Sequence, residues 1–222
     1  MKALFLFLVT ISILSCNSSN QKTAAAKTNN KDTVTRSETA YFGQQRDWQS
    51  AFGLTHDPDA DSVWYKPVLF YLDDPMCSAL ALNFYYGLLR PSDNSITDEL
   101  LELAATDNSK LRPFYRWCLD KTIQISDGAL AEHIGVPARR YAEKFPEEFF
   151  EYMMKDSSGV RYAQWSAAIN YSGFYEHEDW RKNDELVNNV VRAMRKNCNN
   201  CDQGLQRKIE KFAKDCFNGS PG

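Results

Sequence analysis

Apolar residues recur at helical spacing along most of the chain, and this pattern predicts the elements. Leu186, Val187, Val190, Val191 and Met194 make one stripe; Leu205, Ile209, Phe212 and Cys216 make another, at spacings of four, three and four. Helices are predicted over 46–52, 62–72 (bent at Pro67), 75–89, 127–134, 137–144, 146–155, 160–175, 183–197 and 202–217. Asp74-Pro75 reads as a cap followed by a first-turn proline, and Pro137 and Pro146 read as first-turn residues. The 75–89 stretch has no charged residue and is apolar on every side, which predicts the central core helix with Cys77 as a small buried hydrophobe. Ser95-Ile96-Thr97-Asp98 has the spacing of a capping box, followed by Ile96, Leu100, Leu103 and Ala104 on one face. No run alternates as a strand should. The expected fold class is all-α: stacked antiparallel helical hairpins or an irregular helical bundle.

The pattern differs at the start. Lys2 precedes a short apolar run with Leu4, Phe5, Leu6, Phe7, Leu8, Val9, Ile11, Ile13 and Leu14, too short for a permanent span of about 20 residues. From 17 to 39 the chain is polar, a tether of roughly 25 Å r.m.s. if it behaves as a random coil. The expected organisation is a leader over 1–16, a tether over 17–40 and one domain over 41–222.

The leader ends in Ile13-Leu14-Ser15-Cys16, which resembles the lipobox of bacterial lipoproteins. The resemblance implies cleavage before Cys16 and lipidation of its thiol, so that the protein sits on a membrane without crossing it. Asn17, in place of Asp, implies the outer membrane. A second resemblance covers 97–125: a leucine-rich helix, the turn Asp107-Asn108-Ser109, then Leu111-Arg112 opening another helix, similar to one HEAT-type repeat.

The formal charge of −3 becomes −4 once Lys2 is removed with the leader, and no Lys/Arg cluster is long enough to follow a phosphate backbone. No nucleic-acid partner is expected. Of six cysteines, Cys16 is the lipidation site. Cys198-Asn199-Asn200-Cys201 lies between two amphipathic helices, with no strand to suit a redox pair and no second such pair for zinc. The leading expectation is a structural disulfide between one of this pair and Cys216. A Cys201 to Cys216 bridge would close about 15 residues, worth about 3 kcal/mol in the chain-entropy model. Unpaired thiols, a metal site and redox catalysis are the alternatives.

Catalytic signals are sparse. Asp57, Asp59 and Asp61 alternate like a calcium loop, but Ser62 stands where glycine is needed. Glu176-His177-Glu178 opens like a zinc-protease motif, but Arg181 replaces the second histidine. His133, after Glu132, is the remaining acid–base candidate. No cofactor and no metal are expected. Aromatics from Trp117 to Trp180 are interleaved with Arg112, Arg116, Arg139, Arg140 and Arg161, residue types favoured at protein-binding surfaces. The expectation is a non-enzymatic, membrane-anchored envelope protein that binds a protein partner through Arg139, Arg140, Tyr141 and Trp180. The alternatives are a small-ligand binder with an aromatic-lined cavity and, third, an enzyme.

Overall fold

A computed structural model describes residues 62–177 and 185–218. The leader with Cys16, the tether, the 46–52 helix, His56, the Asp57–Asp61 alternation and Trp180 lie outside the described residues.

The first described segment is a hairpin where a helix over 62–72 was predicted. β1 (Ser62–Val63) pairs antiparallel with β2 (Lys66–Pro67), with Val63 opposite Lys66. The two connecting residues, Trp64 and Tyr65, have φ of 52° and 64°. Both therefore occupy the left-handed region of a two-residue turn that normally carries Asn-Gly. Two bulky aromatics there store backbone strain that other contacts must offset. The Tyr71 hydroxyl on the single-turn helix α1 (Leu69–Leu72) donates to the Val63 carbonyl at 2.9 Å and pins the hairpin.

The predicted 75–89 core helix shrinks to α2 (Ala79–Tyr85), capped by Ser78. Asp74 is not its cap: its carboxylate accepts from the Met76 amide at 2.8 Å and pairs with Lys110. Gly87, at φ 74°, ends the segment, and Met76 and Leu88 are exposed. The absence of charge there reflects packing on one side only. α3 (Ser95–Glu102) is capped by Asn94, one residue before the predicted box, through acceptance from the Thr97 amide at 3.1 Å.

The central helix is instead α4 (Arg112–Ile125), nearly every residue of which is buried. The two helices predicted over 127–134 and 137–144 are one, α5 (Ala131–Lys144), with Pro137 inside it. An interior proline removes a ladder hydrogen bond and bends the helix. The Ser172 hydroxyl inserts into the ladder just before it, donating to the Ala131 carbonyl at 2.7 Å and accepting from the Gly135 amide at 2.9 Å. The remaining helices follow prediction closely: α6 (Pro146–Met154), α7 (Val160–Ser172), α8 (Glu185–Lys196) and α9 (Gln203–Asn218).

The fold is all-α. α3 packs on α5, α5 on α7 and α7 on α9, while α4 lies across α3, α5 and α7. Two apolar clusters result, one from Val63 to Cys118 around Phe84 and Phe114, the other from Leu101 to Cys216 around Phe149 and Trp165. Trp64, at the hairpin tip, packs against both. No described helix is long and apolar enough to cross a membrane.

The cysteine expectation is corrected. Cys198 bonds Cys201, and Cys216 is a fully buried free thiol. Cys201 stands just before α9 and Cys216 lies near its far end, about 20 Å along the axis at 1.5 Å per residue, beyond the reach of a disulfide. Burial pushes the Cys216 thiol well up, and lifts that of half-buried Cys77 to about 11, so neither is a ready nucleophile.

Candidate functional site

α4 carries Arg112, Arg116, Asp120 and Gln124 at steps of four, a polar line on a buried helix. In water such a line would face solvent; here its middle, Arg116 and Asp120, is buried, with half-buried Arg112 and exposed Gln124 at its ends, and it is met by side chains from α5, α6 and α7. Arg116 is 1% exposed and donates through Nη1 to Glu148 Oε1 and to the Tyr141 hydroxyl, each at 2.9 Å. Glu148 also accepts from Arg112 Nε at 2.9 Å and from the Tyr141 hydroxyl at 3.0 Å. Burial works against the Arg116 charge, but Tyr141, Tyr152 and Glu148 more than offset it, and its pKa stays above the ordinary value. Its guanidinium carbon lies 4.1 Å from the Trp64 ring centre and 4.0 Å from that of Tyr152. One turn on, Asp120 accepts from Trp165 Nε1 at 2.6 Å and Gln124 Nε2 at 2.9 Å, and lies 3.6 Å from Arg161 Nε.

This network backs a cavity of ≈ 200 Å³ under the hairpin. The described residues of its walls are Ser62, Val63, Trp64, Tyr65, Pro113, Arg116, Trp117, Tyr152, Lys155 and Arg161, and none of these is a carboxylate. Lys155 lies 3.5 Å from the Trp64 ring centre and 3.3 Å from that of Tyr65, and has no carboxylate partner among the described residues. Buried polar atoms on these lining residues, among them Arg116 Nε, Trp117 Nε1 and the Tyr152 hydroxyl, have no hydrogen-bond partner among the described residues. Buried donors are rarely left so, because each costs about 1–3 kcal/mol. Trp64 and Pro113 also border a wider groove of ≈ 780 Å³, which differs in holding Asp107, Glu147, Glu148 and Glu151 beside Arg112, Lys144 and Lys196.

The surface expected from sequence does not assemble. Tyr141 is fully buried. Arg139 is also buried, paired with Glu176 and near Glu143. Of the three described members Arg140 alone reaches solvent, paired with Glu102 and Glu176. Of the described aromatics in that stretch, Tyr171 and Tyr175 are the exposed large ones, with ring centres 6.1 Å apart. Arg116 and Arg161, counted from sequence among surface arginines, line the cavity instead. The four-residue step of Arg112, Arg116, Asp120 and Gln124 was the available signal, but periodicity does not tell which side of a helix is covered.

His133, the acid–base candidate, has both ring nitrogens engaged: Nδ1 lies 2.6 Å from Asp98 and Nε2 2.8 Å from Asp93. No nitrogen is left to take a substrate proton, so it serves as a clamp holding α5 to α3 and to the segment before it. The Asp98 hydrogen bond raises its pKa against partial burial, with Asp93 adding to it. A raised folded-state value means the clamp is fully present below the unfolded value of about 6.5 and is lost as pH rises through the folded one. The expected result is that wild type loses thermal stability relative to His133→Asn from pH 6 to pH 8, by an amount in the range of exposed pairs, about 1 kcal/mol or less. A constant difference between the two across that window would refute the clamp.

His177 is exposed, with Nε2 3.7 Å from Glu176. Among the described residues, no three His, Cys, Asp or Glu side chains gather as metal ligands. No family model matches the chain, and neither the curated proteins nor the solved structures include a match.

Proposed function

We propose that the protein is a non-catalytic binder of a small ligand, anchored through lipidated Cys16 on the periplasmic side of a bacterial outer membrane, with its ligand seated under the hairpin. The observation that carries this reading is a cavity whose described walls are aromatic and basic and whose lining residues include Arg116, Trp117 and Tyr152, each with a buried polar atom lacking a hydrogen-bond partner among the described residues. A ligand pocket combines apolar and aromatic walls with a few fixed polar groups, and these walls fit that description. The strained Trp64–Tyr65 turn supports it further, because strain of this kind concentrates where a side chain is held for a purpose. Docking of a protein partner through Arg139, Arg140 and Tyr141 has less support, since Tyr141 is buried and both arginines are already ion-paired.

Native mass spectrometry of protein purified from envelope tests the binding reading. Wild type is expected to release a small molecule on denaturation, and a Trp117→Arg variant, which fills the cavity with a charged side chain, is expected to release none. Equal release from both, or no release together with no thermal shift in a metabolite library, overturns it. The anchor is tested separately. Cys16→Ser is expected to move the protein from the membrane fraction to the soluble one, and unchanged membrane association rules the lipid anchor out.

A further inference from the structure

We infer that Cys77 and Cys118 are a second disulfide pair, closed as the exported chain folds in contact with an oxidising protein disulfide; the export rests on the lipid-anchor reading above. Placement is the first ground. Of the three free thiols among the described residues, Cys77 and Cys118 pack in the cluster around Phe84 and Phe114, whereas Cys216 lies in the cluster around Phe149 and Trp165. Cys77 stands in the turn between α1 and α2, and Tyr115 of α4 grips that turn on both sides of it. The Tyr115 hydroxyl accepts from the Ser78 amide at 2.9 Å and lies 3.4 Å from the Met76 carbonyl oxygen. It is also hydrogen-bonded to the Cys77 thiol. Cys118 follows Tyr115 by three residues, the neighbouring position on the same face of α4. Its pKa is raised by burial and then by a charge on Cys77, so the two sulfurs are within electrostatic reach.

Freedom to close is the second ground. A disulfide asks for Cα atoms about 4.4–6.8 Å apart. Cys118 is fixed in a buried stretch of helix, but Cys77 sits in a turn beside exposed Pro75 and Met76. Closing the bond therefore moves the turn and leaves α4 in place.

Chemistry is the third. The Cys77 thiolate, on the reachable side, attacks one sulfur of the oxidant's disulfide and expels the other as a thiolate. Cys118 then gives its proton to solvent and attacks Cys77 Sγ, which forms the Cys77–Cys118 bond and frees the oxidant as a dithiol. Each thiol gives up one proton, and two electrons pass to the oxidant. In the packed protein burial opposes this, lifting Cys77 to about 11 against the Tyr115 hydrogen bond and Cys118 well above the ordinary range. The exchange thus belongs to the folding chain, and the same burial then shields the finished bond from reductants.

The test lyses the envelope in denaturant with iodoacetamide and maps the full-length protein by mass spectrometry without reduction. A peptide pair joined through Cys77 and Cys118 is expected beside the Cys198–Cys201 bond. Alkylation of Cys77 and Cys118 with Cys198–Cys201 still oxidised overturns the inference. If Cys198 and Cys201 are alkylated too, the export reading fails, and refolding the reduced full-length protein in detergent with oxidised and reduced glutathione decides the pairing. Cys77–Cys118 as the main new bond upholds it there; a bond to Cys216, or none, overturns it. Without reductant, wild type is expected to melt roughly 10 °C above Cys77→Ala, because the bond closes a loop of about 40 residues. With dithiothreitol that gap is expected to collapse. A gap that reductant leaves unchanged means that Cys77 acts by packing alone, and overturns the bond.

Discussion

Glu148→Ala is expected to lower unfolding free energy by about 3 kcal/mol, read as a fall in the urea midpoint at unchanged slope. The carboxylate holds Arg112, Arg116 and the Tyr141 hydroxyl together. With it gone, the guanidinium of Arg116 remains in the interior, where burial already opposes its charge and Glu148 is the carboxylate hydrogen-bonded to it. Removing one partner of a buried pair typically costs about 3–5 kcal/mol because the other is left uncompensated; partial exposure of Glu148, at 21%, puts this case at the lower end. Arg112→Ala removes only the outer member of the trio, and its expected cost is about 1 kcal/mol. Against a typical total of about 5–15 kcal/mol, the first change is severe and the second is not. Equal effects from the two would mean that the interior pair does not carry the helix packing as described.

Gly135→Ala is expected to destabilise by at least about 2 kcal/mol, roughly 4–8 °C in Tm for a domain of this size. Helix propensity alone predicts the opposite sign, a gain of about 1 kcal/mol. Space decides. A Cβ at 135 would stand 2.3 Å from the Gly173 amide nitrogen, 2.5 Å from Ser172 Oγ and 2.6 Å from the Ala168 carbonyl oxygen. Two of these three are backbone atoms, so α5 and α7 must separate. The third is the hydroxyl that bridges Ala131 and Gly135 where Pro137 interrupts the ladder. Displacing it strands a buried amide and a carbonyl as well. Ser172→Ala isolates that second contribution, with an expected cost of about 2 kcal/mol from the unpaired groups. A stabilised Gly135→Ala protein would show that the helices are not in close contact there.

Much of the helical layout was legible. The stripes from Leu186 to Met194 and from Leu205 to Cys216 became α8 and α9 with ends close to those read from spacing. Each has one covered face, and a one-sided pattern states its own period. Where charge and covering did not go together, the reading failed. The 75–89 segment lacked charge without being central, and α4 carried charge while being the most enclosed helix. Pro137 read as a helix start because a proline fits there without help; in the structure it sits inside one, and a hydroxyl 35 residues away along the chain bridges the turn just before it.

What the sequence determined by itself is the helical class, most helix positions and the polar step along Arg112, Arg116, Asp120 and Gln124, because periodicity and capping are local. What only the tertiary structure decided is which way that step faces, that Trp64 closes a cavity beside it and that Cys198 pairs with Cys201 and leaves Cys216 buried. A charged side chain has the same letter in water and in a core. Its role depends on which distant residues arrive to neutralise it, and that is a property of how the helices pack.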